Sequence, residues 1–476
     1  MIAPLIIVPL LFALVALSLP SDRLRPWLLP IGGTVQLGLV ITALLNHAPA
    51  PLGNWFGIDP LSRLILLLVS LLFWLCSLYG LGYLRLRLDW GNRIFVTCLL
   101  VFLGAMSMAA MARHLGILWV AVEATTLASA PLIYFNHNRL SIEATWKYLI
   151  LCSVGIALAM LGILFVAYAA LPAASISLQL DDLLARAPGL STPWLRAGFV
   201  FLLVGFGTKV GFAPLHTWKP DVYGEAPGMI GALLAGGLTS VAFLALLRVM
   251  QIMNAAGQAA IAHQGFLIMG VVSLLFAAVF VIRQPDFKRL LAYSSVEHMG
   301  ILAIGFGIGG VAAFGAALHM MNNALTKGVL FLAAGNIHRR FASKRREEVT
   351  GVIAVLPVSA SLFIAGFLAI TGSPPFGPFV SEFTILRGIF NSGHYGLGAY
   401  LILMLAIIFI GMGSTVLAVT LGQPSAKEEL SSYRDTLLTV GPPMVMLLLV
   451  LMLGLYLPES ARKLFADAAA LVEVKP

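Results

Sequence analysis

Cysteine is scarce in this 476-residue chain, limited to Cys76, Cys98 and Cys152. Each stands alone in an apolar stretch, so no C-x-x-C pair exists to ligate zinc or an iron–sulfur cluster. If the chain serves a redox machine, the electrons travel through other subunits, and no cofactor or metal is expected in this one. Charge is also scarce, at 10% of residues against 60% hydrophobic, which excludes a soluble globular domain. Acidic residues number 20 against 29 Lys and Arg, leaving a net charge of +9. The basic residues are scattered through short loops and form no single cationic surface, which excludes a nucleic-acid partner and fits the loops of a multi-pass membrane protein. A cleavable leader is missing too. The first apolar run, residues 2–19, lacks a basic region before it and is followed by Pro20, Arg23 and Arg25, so it is expected to remain as a span.

What is present is apolar sequence in long runs. At about 20 residues per crossing, the sequence predicts fourteen helices near 2–19, 28–46, 60–83, 94–112, 115–134, 142–170, 195–223, 228–250, 265–282, 291–309, 311–335, 351–392, 397–421 and 436–456. The expected fold class is an all-α polytopic membrane protein embedded in the lipid bilayer. The seventh and twelfth segments are too long and carry the breakers GTKVGFAPLH and TGSPPFGPFVSE. Proline removes a backbone donor, so each segment is expected to be a broken helix whose freed groups bond to neighbours or water. Arg85, Arg87, Arg93, Arg139, Arg283, Lys288, Arg289, Arg339, Arg340 and Lys344 follow odd-numbered segments, whereas even-numbered ones are followed chiefly by Arg113, Arg186, Arg196 and Arg248. By the positive-inside rule this places both termini on the outer side.

The two broken segments are five apart, and an odd offset inverts orientation, the pattern of inverted-topology repeats. The expected organisation is residues 1–92 (helices one to three), 93–252 (a first five-helix repeat), 263–421 (a second, inverted repeat) and 422–476 (the last helix and tail). The ionisable residues repeat with it: Glu123 to Lys209 spans 86 positions, Glu297 to Glu382 spans 85.

Four intramembrane charges carry the chemistry: Glu123, Lys209, Lys327 and Glu382. Each costs at least about 2.5–3.5 kcal/mol on insertion scales, so a functional role is the default reading. Glu123 and Lys209 are candidates for a desolvated pair that moves protons when it is pulled apart; the competing reading is a static ion pair. His319, Asn323 and Lys327 lie at i, i+4 and i+8, one stripe of a helix face, fit to hold a file of waters or to bond helices together. Glu382 follows the second break and is a candidate exit acid or a cap for the restarted half-helix. Lys147 starts the sixth segment at the place matching the polar eleventh, and His298 in SSVEHMG is either a shuttle or a structural donor. His216, Lys219, Asp221 and Glu225 in HTWKPDVYGEAP read as a tight loop with local ion pairs, and RRFASKRREE as a solvated loop.

GFGTKVGFAPLHTWKPDVYGEAPG, PDFKRLLAYSSVEHMGI and HMMNNALTKGVLFLAAGN resemble the antiporter-like proton-channel subunits shared by respiratory complex I, multisubunit cation/proton antiporters and membrane-bound hydrogenases, with component F of hydrogenase-4 the nearest form. The resemblance implies that Glu123, Lys209, Lys327 and Glu382 occupy the family's fifth-helix glutamate, broken-helix lysine, central lysine and terminal acid, in two half-channels joined by a polar axis. One departure matters. Where several relatives carry Lys or His in the eighth helix, this chain has Ser240, which relays through water but holds no charge.

The function implied is a proton-translocating subunit of a complex I-like redox assembly in a bacterial inner membrane. Its implied partners are other membrane subunits, and soluble redox subunits such as a NiFe hydrogenase and iron–sulfur proteins. A Na⁺/H⁺ antiporter subunit, a quinone-linked NADH dehydrogenase subunit and an ion-driven inorganic-carbon uptake subunit are alternatives of the same class, and a non-conducting membrane anchor is one of another class.

Overall fold

The computed structural model describes residues 2–45, 51–85, 87, 91–173, 177–423 and 431–473. The first six helices are α1 (Ile2–Ser18), α2 (Leu28–Leu45), α3 (Pro60–Arg85), α4 (Arg93–Met111), α5 (Leu115–Ile133) and α6 (Arg139–Ala169). After the short α7 (Leu180–Ala185), the first broken span forms as α8 (Thr192–Val210) and α9 (Trp218–Glu225). The next span is α10 (Gly228–Ala232), a π turn at Leu233–Leu238 and α11 (Thr239–Ala255). Then come α12 (Ala259–Val281), α13 (Phe287–Ile308), α14 (Gly310–Phe341) and α15 (Val352–Val355). The second broken span is α16 (Pro357–Ile370) and α17 (Gly377–Asn391), followed by α18 (Tyr395–Leu421), α19 (Leu437–Leu455) and α20 (Glu459–Ala470). Extended pairing among the described residues is confined to isolated bridges such as Leu52 with Phe56.

All fourteen expected segments are present, and ten helices are long and apolar enough to cross a membrane among the described residues. Helices α8 and α14 are diluted by the polar residues they carry; α8 exposes Trp194 and Val200 while its Lys209 end is buried, and α14 is shielded by the helices around it. From Ala316 to Ala334 every residue of α14 is buried. Among the described residues, two α-helices stand outside the fourteen. Helix α7 has six residues, and α20 has twelve with one apolar face, Phe465, Ala468 and Ala469 being buried.

The order of packing repeats through the chain. Helix α4 packs on α5, α5 on α6, α6 on α8 and α8 on α11; the same sequence recurs as α12 on α13, α13 on α14, α14 on α17 and α17 on α18. The two breaks also share a backbone path. Each begins at a glycine with positive φ, Gly211 at 79° and Gly372 at 68°, and reaches a cis proline three residues later, at Pro214 and Pro375. The left-handed region favours glycine, so both positions need it. Freed groups of the first break find partners: the Ala213 N–H donates to Ser273 Oγ at 3.0 Å, and the Trp218 indole donates to the Thr208 carbonyl at 2.9 Å.

Candidate functional site

In the first half, α5, α6 and α8 meet around Lys209. Its ammonium is fully buried and donates to Thr126 Oγ1 and Tyr148 Oη, each at 2.8 Å. Thr126 in turn donates to Glu123 Oε2 at 2.9 Å, and Ser153 donates to Glu123 Oε1 at 3.2 Å. Glu123 and Lys209 are therefore joined through a hydroxyl. They are not a contact ion pair, which differs from the expectation of a direct pair. The cause is the helical spacing of Thr126: one turn after Glu123, it lies between the carboxylate and α8. Tyr148 Oη also sits 2.7 Å from Ser129 Oγ, and its ring lies 4.6 Å from Lys209 Nζ, close enough for cation–π attraction. Thr126, Tyr148, Ser129 and Ser153 escape a reading that searches for charge, because hydroxyls are common in apolar helices.

In the second half, α13, α14 and α17 bring together His298, His319 and Glu382, with one side-chain atom of each within 4.8 Å of the others. His298 Nδ1 lies 3.0 Å from His319 Nε2, and His319 Nδ1 lies 2.9 Å from Ser381 Oγ. Ser381 donates to the Pro378 carbonyl at 2.9 Å, so it accepts from His319. That orients both rings: His319 carries its proton on Nδ1, His298 carries its own on Nδ1, and His298 Nε2 is left as an acceptor toward Glu297, whose Oε2 lies 3.7 Å away. Ser294 donates to the same Glu297 oxygen at 3.2 Å. These three side chains have metal-ligand chemistry, but the two imidazoles already bond each other, and an ion between them would break that contact.

Lys327, on the same buried face as His319, donates to the Leu291 carbonyl at 3.3 Å. His298 Nε2, Asn322 Oδ1, both amide atoms of Asn323 and Glu382 Oε1 are buried without a protein partner. Buried polar groups are almost always satisfied, by protein or by water, and these atoms are free to bond a proton-carrying partner.

Two expected residues stand apart from these clusters. Lys147 is 46% exposed and pairs with Glu143 at 2.6 Å and Asp221 at 2.8 Å; although it is next to the buried Tyr148 in sequence, successive residues of a helix point about 100° apart, so it faces away from the cluster. Ser240 is buried, but its hydroxyl is committed to the Gly236 carbonyl at 2.6 Å in its own helix.

HTWKPDVYGEAP also differs from the expected tight loop. It contains α9, eight residues and largely buried; Pro220 occupies the first turn, where its missing N–H costs nothing. Asp221 and Glu225 do form ion pairs, but with distant parts of the chain and not locally: Asp221 with Arg289 at 2.7 Å and Lys147 at 2.8 Å, Glu225 with Lys344 at 2.6 Å. Lys219 does not; it is fully buried. Lys344 ties RRFASKRREE to Glu225, so that segment is partly anchored as well.

A family model described as NADH:quinone oxidoreductase/Mrp antiporter, TM, matches residues 112–408, which take in both breaks and both buried clusters. The chain belongs to this family. This antiporter-like subunit is 32% identical to a "Hydrogenase-4 component F homolog" of Methylacidiphilum infernorum (isolate V4), over 99% of each chain. It is 31% identical to "NADH-quinone oxidoreductase subunit N" of Desulforudis audaxviator (strain MP104C), over 89% of this chain and 88% of that one. Among solved structures, a chain of respiratory complex I from Thermus thermophilus superposes with TM-score 0.83 at 25% identity, covering 100% of this chain and 99% of that one. A chain of an archaeal membrane-bound sulfane sulfur reductase shares the fold, at TM-score 0.88 and 19% identity, covering 100% and 98%. The protein is thus an antiporter-like membrane subunit of complex I-like assemblies, and other membrane subunits are its partners. In this subunit both halves place a carboxylate, the half-buried Glu123 or the buried Glu297, on the helix preceding the long central one, α6 or α14.

Proposed function

We propose that this chain conducts protons across a bacterial inner membrane as a subunit of a hydrogenase-4-type redox assembly, with both termini on the periplasmic side. The observation that carries the reading is the run of donors and acceptors within each half: the half-buried Glu123 with buried Thr126 and Lys209 in one, and buried Glu297, His298, His319 and Ser381 beside Lys327 and Glu382 in the other. A proton arriving at His298 Nε2 is passed on by exchange along the two imidazoles toward Ser381 and Glu382, and each ring then needs only to turn to reset. The chain itself breaks no bond, carries no electron and supplies no cofactor. A redox event in nickel- and iron–sulfur-containing partners changes the field at Glu123 and Lys209, and the proton moves past Lys327 and leaves at Glu382. Moving one charge against 100 mV costs about 2.3 kcal/mol, which those partners supply.

The assembly type is supported by the relative named hydrogenase-4 component F homolog, which matches nearly the whole chain. The test is isolation of the complex through a tag on this chain, metal analysis, and hydrogen-driven proton uptake by inverted membrane vesicles. Nickel and iron are expected to copurify. Glu123→Gln is expected to abolish uptake while the chain stays inserted. Normal uptake by that variant sinks the proton path, and a complex without nickel or iron sinks the hydrogenase reading.

A further inference from the structure

Between the two halves lies a charge that the path above does not use. Lys219, on α9, is fully buried. Its ammonium donates to Ser295 Oγ at 3.2 Å, and no carboxylate pairs with it among the described residues. An ammonium has three N–H donors and is costly to bury without an anion. It is not needed to fasten α9. The C-terminal end of that helix is held by Lys288, which donates to the Gly224 and Ala226 carbonyls at 3.0 and 2.6 Å, and by Lys344; the start is held by the Trp218 indole.

Position explains what fastening does not. The side chain of Lys219 folds back against the first break: a Cβ added to Gly211 would fall 2.7 Å from its Cδ and 2.8 Å from its Nζ. In the second break the corresponding glycine, Gly372, faces the Glu382 carboxylate in the same manner, with the carboxyl carbon 3.3 Å from an added Cβ. Lys219 is five residues past its break proline and Glu382 seven past its own, so the registers differ by two. The counterpart of Glu382 against the break glycine is therefore Lys219. Lys209, two residues before Gly211, matches apolar Ile370 two before Gly372.

Lys219 also touches both clusters electrostatically. The buried Cys152 thiol lies within the fields of both Lys209 and Lys219, and the fields of Lys219 and Lys327 overlap. Ser295 is adjacent to Ser294, whose hydroxyl donates to Glu297.

We propose that Lys219 is the cationic proton carrier at the junction of the two halves, receiving from the Lys209 side and delivering through Ser295, to which it donates, toward Glu297 and Lys327. It supplies there the charge that Ser240 lacks. This rests on the proton-conducting reading.

The test uses the assembled complex in inverted vesicles, with hydrogen or NADH as donor, whichever reduces it. Proton uptake is followed against pH for wild type, Lys219→Met, Lys219→His and, as a control, Lys327→Met. Lys219→Met is expected to lose at least tenfold in uptake with the complex intact. Lys219→His is expected to restore part of it, with the optimum moved at least one pH unit toward acid, because imidazole releases its proton at lower pH than an amine. Lys219→Gln, which keeps the bond to Ser295, takes the place of the Met variant if that one fails to assemble. Uptake by Lys219→Met equal to wild type, beside an inactive Lys327→Met, overturns the junction role and leaves the proton path standing. Lys219→His as inactive as Lys219→Met also overturns it, in favour of a purely structural ammonium. Normal uptake by Lys327→Met, or none by wild type, overturns the junction role together with the path on which it depends.

Discussion

One carboxylate just outside the spans, Asp59, ties three parts of the chain to each other. Its Oδ1 accepts from the Ser62 N–H at 2.8 Å and so caps α3; Arg248 of α11 donates to it at 2.5 and 2.9 Å, and Arg113 at 2.8 Å. Burial alone would raise this carboxyl's pKa, but the Arg248 charge and hydrogen bonds, with Ser62 and Arg113, bring it down to about 2. A carboxyl with a depressed folded-state pKa adds stability that is fully present above its unfolded value, near 4, and is lost as pH falls toward 2. Thermal unfolding of the detergent-purified chain is therefore expected to weaken between about pH 4 and pH 2. Asp59→Asn is expected to flatten that step and to cost on the order of 3 kcal/mol at neutral pH, since it leaves Arg248 buried without its anion. A pH dependence unchanged in Asp59→Asn would remove Asp59 from this role. The contact is hidden in the sequence because Arg248 lies two residues from the end of the eighth segment, 228–250, and is grouped with the charges that follow that segment. Helix α11 runs to Ala255, and Arg248 is inside it, 1% exposed.

The helices that carry the chemistry pack through glycine, and the device is used twice. A Cβ on Gly205 of α8 would lie 2.5 Å from the Ala159 nitrogen of α6; a Cβ on Gly388 of α17 would lie 2.5 Å from the Ala312 nitrogen of α14. Both neighbours are backbone and cannot rotate away. Gly205→Ala and Gly388→Ala are each expected to destabilise by about 1–3 kcal/mol, read as a lower melting temperature in detergent, and Gly205→Ala to cut proton uptake as well, since α8 holds Lys209 against Tyr148 of α6. Gly38→Ala, with nothing within 4 Å of its added Cβ, is the control expected to melt no lower than wild type. If Gly205→Ala matches it, α6 and α8 do not approach this closely. At this scale most of the fold is legible in the sequence, because a span declares itself by length and hydropathy alone and a break by Gly and Pro. Helix α9 was not, since Pro220 and Gly224 look like loop residues until α13 and Lys344 are seen packed around them. Nor was α20, whose half-polar twelve residues fall below any span threshold. Lys209, Lys327 and Glu382 are conspicuous as charges in apolar text; the Thr126 and Tyr148 hydroxyls that bond Lys209 are not.

Across the whole molecule, Glu123 is the ionisable end of the row that reaches a side of the bundle. It is half-buried and bonded to the exposed Ser153, and around it the α5–α6 face exposes Val120, Leu127, Ile150 and Val154, at 50%, 61%, 58% and 57%. Apolar side chains there suit lipid and protein equally, but a carboxylate at that depth does not suit lipid: exposure to the hydrocarbon core costs it several kcal/mol. The face is therefore expected to be covered in the assembly by another membrane subunit. A photo-crosslinking residue placed at Val154 in the assembled complex is expected to form an adduct with a second membrane subunit. The same residue at Leu14 of α1, 63% exposed on a helix that carries no ionisable side chain, sets the background for lipid adducts. A lipid adduct at Val154 as prominent as that at Leu14 would mean that Glu123 meets the bilayer directly. The proton path would then have to end at Thr126 and Lys209, within the bundle.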